Sequence, residues 1–338
     1  MAAIAICVNP MSGRDVRRLA ARATNMTHEA KRDIVARIAA GADALGVADI
    51  FVTKEPFRIA SMALEWMDLR AKVHLLETPL NHDATDTEAA IAAFLDAGVR
   101  TIVSVGGDGT NRAIARATMR RSAAEGGHDV ELIPLSTGTN NVFPTLVEPT
   151  IAGMVAGLSA TGRVRAEGLK QRCKILHVRF SDQGQDVGLV DAVLLHNDYV
   201  GNLLPFDERK LVRMLLTRAE PDAIGMSPIG GFLDVVESTD EFGLLVEMGP
   251  GREVEAPLSP GHFRTVSIKQ TTRIPIGVPV VFPGTGVLAL DGDRDHRLHE
   301  DRSATVTIQR DGPWVFDVPA VMRYAVREGM MSTGAFLG

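Results

Sequence analysis

Residues 101–110 read TIVSVGGDGT: a β-prone apolar run, Thr101 to Val105, passes directly into Gly106-Gly107-Asp108-Gly109-Thr110. A run of this make-up predicts a buried strand, and the glycines predict a sharp corner at its carboxyl end. Beyond the corner Ile114 and Ala117 fall on one helical face and Arg112, Arg116 and Arg120 on the other, which predicts a helix with its arginines outward. Gly106, Gly107 and Gly109 leave room for backbone N–H groups to turn inward as an anion-binding nest, and the helix adds its positive N-terminal end. Asp108 inside such a nest is a poor phosphate ligand, because like charges repel. It suits a metal-binding group or a base that takes a hydroxyl proton. A plain strand–turn–helix corner capped by Asp108 and Thr110 would give the same string, so the flanking sequence has to separate the two.

On the N-terminal side, Ala3 to Val8 predicts a first strand ended by Asn9-Pro10, and Thr27 caps a helix with the stripe Ile34, Val35, Ile38, Ala42 and Leu45. Asp49 to Thr53 and Val73 to Leu76 predict two more strands. Thr85 and Glu88 have capping-box spacing ahead of Ile91, Phe94 and Leu95, and Gly98 sits where a helix ends. Leu132 to Pro134 predicts a short strand before the polar loop Ser136 to Asn141. Strands alternating with helices predict a parallel, helix-covered sheet. In such a sheet all strand carboxyl ends share one edge. The loops Asn9 to Arg14, Gly106 to Thr110 and Ser136 to Asn141 therefore converge there, as one phosphate-lined cleft.

The pattern changes after about Gly162. Lys174 to Phe180, Val187 to His196, Phe232 to Val236, Leu244 to Met248, Thr265 to Lys269, Val287 to Leu290 and Thr305 to Gln309 predict a mainly antiparallel β domain, with a helical interruption at Asp207 to Thr217. Val318 to Arg327 predicts a helix that returns to the first domain. The expected divisions are an α/β nucleotide-binding domain over 1–162, a β-rich domain over 163–318 and a C-terminal segment over 319–338.

The chain has 338 residues with 45% hydrophobic and 23% charged side chains, which suits two domains, or one large α/β domain, with a full core. Disorder, collagen-like repeats and disulfide scaffolds are excluded. A net charge of −6 argues against a nucleic-acid partner. Cys7 and Cys173 share no metal-like spacing and read as reduced core thiols. The start MAAIAICVNP lacks the features of a signal peptide. The longest uncharged apolar stretch, Ile274 to Leu290, carries three prolines and three glycines, so no membrane span is expected and the cytoplasm is the expected location.

Several motifs fail. No P-loop string occurs, and a dinucleotide fingerprint starting at Gly107 breaks at Arg112. Gly284 to Ala289 matches one as a string but leads into a strand. Asp291, Asp293 and Asp295 imitate a calcium loop, yet His296 and Arg302 occupy its glycine and glutamate positions. The histidines share no ligand spacing, and Trp66 and Trp314 read as core.

Asn9-Pro10-Met11-Ser12-Gly13, then Gly106 to Thr110, then Ser136-Thr137-Gly138-Thr139-Asn140-Asn141, in that order, resemble the NAD kinase/diacylglycerol kinase superfamily. The details most resemble its ATP–NAD kinase-like branch of the acetoin-catabolism protein X (AcoX) type, over nearly the whole chain. The resemblance implies a parallel-sheet α/β domain, a β-sandwich-like second domain and ATP with Mg²⁺ in the cleft between them. It implies phosphoryl transfer to a hydroxyl with Asp108 as catalytic acid. Asn9, Ser12, Gly106, Gly107, Gly109, Thr110, Thr137, Gly138, Thr139 and Asn140 would hold the nucleotide. Asn197-Asp198 resembles the Asn-Glu or Asn-Asp pair that holds the acceptor nucleotide in NAD kinases. Asp222 to Gly231 resembles, in degraded form, their Gly-, Ser- and Thr-rich segment. Asp291-Gly292-Asp293 stands where NAD kinases carry Asp-Gly-Gln and lipid kinases Asp-Gly-Glu. That implies a metal on Asp108 and Asp291, with Asp293 joining catalysis or itself helping to hold the metal. The first-choice acceptor is the 2′-hydroxyl of NAD, giving NADP, and the runner-up is a lipid or small polyol. A nucleotide-binding regulatory protein without turnover is the reading from another class. A homo-oligomer is expected from the resemblance alone.

Overall fold

The structure is a computed structural model that describes residues 2–14, 23, 25–126, 129–139, 141–164 and 167–332. The first half runs β1 (Ala3–Val8), α1 (His28–Ala44), β2 (Asp49–Thr53), α2 (Ile59–Leu64), β3 (Lys72–Leu76), α3 (Ala84–Asp96), β4 (Thr101–Gly106), α4 (Asp108–Glu125), β5 (Glu131–Ser136) and α5 (Pro149–Ala160). The second half begins with β6 (Lys170–Arg172), β7 (Ile175–Phe180), β8 (Gln185–Gly188), β9 (Asp191–Leu195), β10 (Leu211–Leu216), α6 (Ser227–Gly231), β11 (Phe242–Ser259) and β12 (His262–Pro275). It closes with β13 (Pro279–Phe282), β14 (Gly286–Leu290), β15 (Asp293–Leu298), β16 (Ala304–Gln309), β17 (Trp314–Phe316) and α7 (Val318–Arg327).

The first sheet has the order β3-β2-β1-β4-β5-β17-β6, parallel from β3 to β17, with β6 antiparallel at the edge. The strand period of two divides its residues between two cores. Ile4, Ile6, Val103 and Ile133 pack under α1 and α5, while Ala5, Cys7, Ile102 and Leu132 pack under α3 and α4. Coverage on both faces is why these strands are apolar throughout. Helices α1 and α5 approach at backbone distance: a Cβ on Gly153 would lie 2.1 Å from the Ile38 carbonyl oxygen. The expected parallel-sheet domain and antiparallel second domain are both present. The latter comprises the sheets β12-β11-β10-β9-β14-β15 and β13-β16-β7-β8. Strands β6 and β17 extend the first sheet, and α7 buries Val318, Val321 and Ala325 in its core.

Local expectations differ in five places. Helix α3 is capped by Asp83, whose carboxylate accepts from the Thr85 N–H, because Glu88 pairs instead with Arg116 and Arg120. Asp207 to Thr217 is a single 3-10 turn followed by β10; its short apolar run fits either period, and pairing with β9 and β11 settles it as strand. Val187 to His196 divides into the end of β8 and β9, which belong to different sheets. Phe232 to Val236 keeps only one bridge, Val236 with Ala219. Trp66 is exposed rather than core. Cys7 and Cys173 are free and buried, and burial pushes both thiols up to about 12. Among the described residues no helix is long and apolar enough to cross a membrane.

Candidate active site

Strands β1, β4 and β5 are neighbours, so the three glycine-bearing loops leave the sheet side by side. Side chains then join them. Asn9 Nδ2 donates to Thr110 Oγ1 at 2.8 Å, and the hydroxyls of Ser12 and Thr137 lie 3.0 Å apart. Asn9 Oδ1 accepts from the N–H groups of Met11 and Ser12, and buried Lys31 donates to the carbonyls of Asn9 and Pro10. Asn9, Ser12, Thr110 and Thr137, expected as nucleotide ligands, thus bond to one another and fix the relative positions of the loops. The backbone supplies the open donors. Helix α4 has Gly107 as its N-cap and no capping side chain, so neither Asp108 nor Thr110 serves as a cap. The N–H groups of its first turn stay available for an anion.

These loops open onto a cleft of about 510 Å³, a size ordinary for small-molecule sites. Of the expected nucleotide ligands, Asn9, Ser12, Gly107, Gly109, Thr110, Gly138 and Thr139 line it. Gly106 and Thr137 sit behind the lining, and Asn140 lies outside the described residues. Gly106 has no space for a side chain, since a Cβ there would lie 2.5 Å from Thr110. Asp108, Asp191, Asp291 and Asp293 add carboxylates from both halves of the chain.

Asp108 lines the cleft and accepts hydrogen bonds from the N–H of Phe143 at 2.9 Å and of Val142 at 3.2 Å, which fix its carboxylate. Burial pushes its carboxyl up to about 7, outweighing the pull of the Phe143 N–H, and the charge of Asp291 adds to the rise. Asp291 is buried at a turn with φ +51°, and accepts from the N–H groups of Leu189, Val190 and Asp191. Its role as a metal ligand competes with those three bonds. Asp293 is 41% exposed at its side chain, and a Cβ on Gly109 would lie 3.4 Å from its Oδ2, so it faces the phosphate loop. Asp293 could hold a cation in the cleft, whereas Asp291 already accepts from three N–H groups.

Asp191 escaped the sequence reading because it lies inside an apolar strand. A single acid between Val190 and Ala192 was the available signal. It is buried, it lines the cleft, and its Oδ1 has no hydrogen-bond partner. Burial, and after it the charges of Asp291 and Asp108, push its carboxyl well above the usual range.

Arg112 corrects another expectation. It is buried rather than outward, because the second domain covers that face of α4. It donates to the carbonyls of Val187 and Leu290, to Asp186 at 2.6 Å and to Asp295 at 3.3 Å, and Asp293 lies 3.7 Å away. Burial would raise the Asp186 carboxyl, but His296, Arg112 and Arg116 hold it well below the usual carboxylate range. Removing one partner of a buried charge network leaves the others uncompensated. Arg112→Met is expected to cost roughly 3–5 kcal/mol of stability, read from denaturant unfolding, with Arg112→Lys losing less. A loss below about 1 kcal/mol would show that this network does not hold the domains together.

Asn197 and Asp198 do not line the cleft. Asp198 is sealed in a pair with Arg294 at 2.7 Å and accepts from Asn202, so the pair expected to hold the acceptor anchors a loop instead. The segment Asp222 to Gly231 contributes Ile224, Gly225 and Met226 to the lining. Among the described residues the trio Asp186, Asp295 and His296 has ligand atoms close enough for a metal, but Arg112 and Arg116 already neutralise it.

The sequence of residues 4–163 matches the ATP-NAD kinase N-terminal domain, and residues 174–311 match the acetoin catabolism protein X C-terminal domain. The chain is also similar to the acetoin catabolism protein X of Cupriavidus necator, 34% identical over 345 residues, covering 97% of this chain and 93% of that protein.

Proposed function

The chain belongs to the acetoin catabolism protein X family, with an N-terminal domain of the ATP-NAD kinase type, and from this we propose that it is an ATP-dependent kinase acting on a hydroxyl. The observation that carries the reading is Asp108: a cleft carboxylate beside an uncapped helix N-terminus and three interlocked glycine loops. In this reading the N–H groups of the loops and of the first turn of α4 hold the donor phosphates. Asp293 would hold Mg²⁺, which when bound neutralises phosphate charge. Asp108 takes the proton of the acceptor hydroxyl while the acceptor oxygen bonds to the γ-phosphorus and the bond to ADP breaks. The proton then passes to solvent. Catalysis of this kind is positioning and electrostatics rather than covalent chemistry.

The 2′-hydroxyl of NAD is the acceptor that the N-terminal match brings with it. A lipid or small polyol is the second reading, and the apolar residues Leu204, Pro205 and Phe206 in the lining suit an acceptor with a hydrocarbon part. The test is transfer of label from γ-labelled Mg-ATP to NAD, nicotinamide riboside and short diols, with and without Asp108→Asn. Acceptor-dependent transfer that the variant loses supports the reading. ATP binding with no transfer to any of them would leave a nucleotide-binding regulatory protein in its place.

A further inference from the structure

Strand β10 ends at Leu216, and the three residues after it are tied to the second half of the chain. The Thr217 N–H donates to the Val190 carbonyl, Ala219 exchanges two hydrogen bonds with Val236, and the Arg218 carbonyl accepts from the buried Ser227 hydroxyl at 3.0 Å. The backbone of Arg218 is therefore fixed, and its half-buried side chain reaches across to the third loop of the first half. Its Nη1 donates to the Val142 carbonyl at 3.3 Å, and its guanidinium lies 5.1 Å from the Phe143 ring centroid. That carbonyl and the Phe143 N–H belong to one peptide group, and the N–H donates to Asp108 Oδ1 at 2.9 Å. A peptide group is planar and trans, so holding its oxygen fixes where its N–H points. A cation on the oxygen also polarises the group and strengthens the N–H as a donor. Arg218 and Asp108 thus stand at opposite ends of one amide. Burial is what lifts the Asp108 carboxyl, and the positive charge of Arg218 works against that lift.

We propose that Arg218 is a positioning residue for Asp108, acting from the second domain through the Val142–Phe143 peptide. The proposal rests on the kinase reading and adds a condition to it. The carboxylate that takes the acceptor's proton is set by a residue behind the cleft lining, and only while the two domains are docked.

The test uses Arg218→Met, which keeps an unbranched stem against the Phe143 ring and removes the charge and the donors. Its kcat for label transfer is expected to fall at least roughly tenfold, about 1.4 kcal/mol. Mg-ATP affinity should stay within about twofold, since the loops that hold phosphate are untouched. In the Asp108→Asn background the same change should cost less than about threefold more, because a residue that acts through Asp108 has nothing left to position. A second readout needs no activity: hydrogen exchange of the Phe143 amide in full-length protein labelled with ¹⁵N-phenylalanine. Exchange at Phe143 is expected to quicken at least roughly tenfold, with Phe51 of β2 unchanged. Arg218→Lys keeps the charge and a donor, should fall between the two proteins in rate and protection, and carries the test if the methionine variant fails to fold. A wild-type kcat, a loss that adds in full to that of Asp108→Asn, or exchange that quickens at Phe51 as much as at Phe143 overturns the proposal. Wild-type protein that transfers no label removes the kinase reading, while selective loss of protection at Phe143 still upholds Arg218 as the residue that fixes Asp108.

Discussion

The Asp108→Asn variant is expected to bind Mg-ATP as the wild type does and to turn over at least roughly a hundredfold more slowly, about 2.7 kcal/mol of barrier. Asparagine keeps an oxygen where the Phe143 and Val142 N–H groups donate, so the loop Asn141 to Phe143 has no reason to move. What it removes is the ability to take a proton. The pH dependence separates this from a packing defect. Asp108 is raised from 3.8 to about 7, so wild-type turnover falls as the pH drops below about 7 and the carboxylate is lost. The residual rate of the variant should lack that limb. Stability moves the other way. A carboxyl whose folded pKa is raised favours the folded state below its unfolded pKa, and that contribution is lost as the pH climbs through about 7. Asparagine carries no such loss, so the melting temperature of the variant relative to wild type should rise across that window. A variant that turns over at the wild-type rate would remove Asp108 from the chemistry. One that melts early at all pH values would make the rate loss structural.

The three loops were legible because alternation of strands and helices predicts a parallel sheet, whose strand carboxyl ends share one edge; the order that makes β1, β4 and β5 neighbours there is seen only in the structure. What the loops do with their side chains was not legible. Asn9, Ser12, Thr110 and Thr137 are the right types to bind phosphate and equally the right types to bind each other. Only their separations, 2.8 and 3.0 Å, show the second use. Arg112 illustrates the same limit on a helix. Periodicity assigns a face, but whether that face meets water or another domain depends on contacts with residues about 180 positions away, such as Asp293 and Asp295. Asp191 was hidden by its neighbours, since an apolar run reads as core and a lone acid within it as an exception. Asn197-Asp198 was the converse: a conspicuous polar pair whose carboxylate is drawn into the protein by Arg294.

Gly107→Val is expected to abolish ATP binding, a loss of at least roughly a hundredfold in affinity, about 2.7 kcal/mol. The cause is space and not backbone strain, because Gly107 has φ −108° and ψ −167°, a conformation open to any residue. Its ideal Cβ would lie 3.2 Å from Gly138 Cα and 3.3 Å from Asn141 Oδ1, so the second and third loops leave little room between them there. Valine's two methyls must either part the loops or turn into the cleft, and each outcome removes the nest. Should the valine variant fail to fold, Gly109→Ala asks the same question without that risk. A Cβ at Gly109 meets only Asp293 Oδ2, at 3.4 Å, and alanine suits a helical first turn better than glycine does. The methyl would stand where the donor phosphates are placed. The Gly109→Ala protein should therefore melt no lower than wild type and bind Mg-ATP at least roughly tenfold more weakly by calorimetry, about 1.4 kcal/mol. Unchanged affinity in a folded Gly109→Ala protein would mean that the phosphates lie elsewhere in the cleft, and the role of the glycine loop would fall with it.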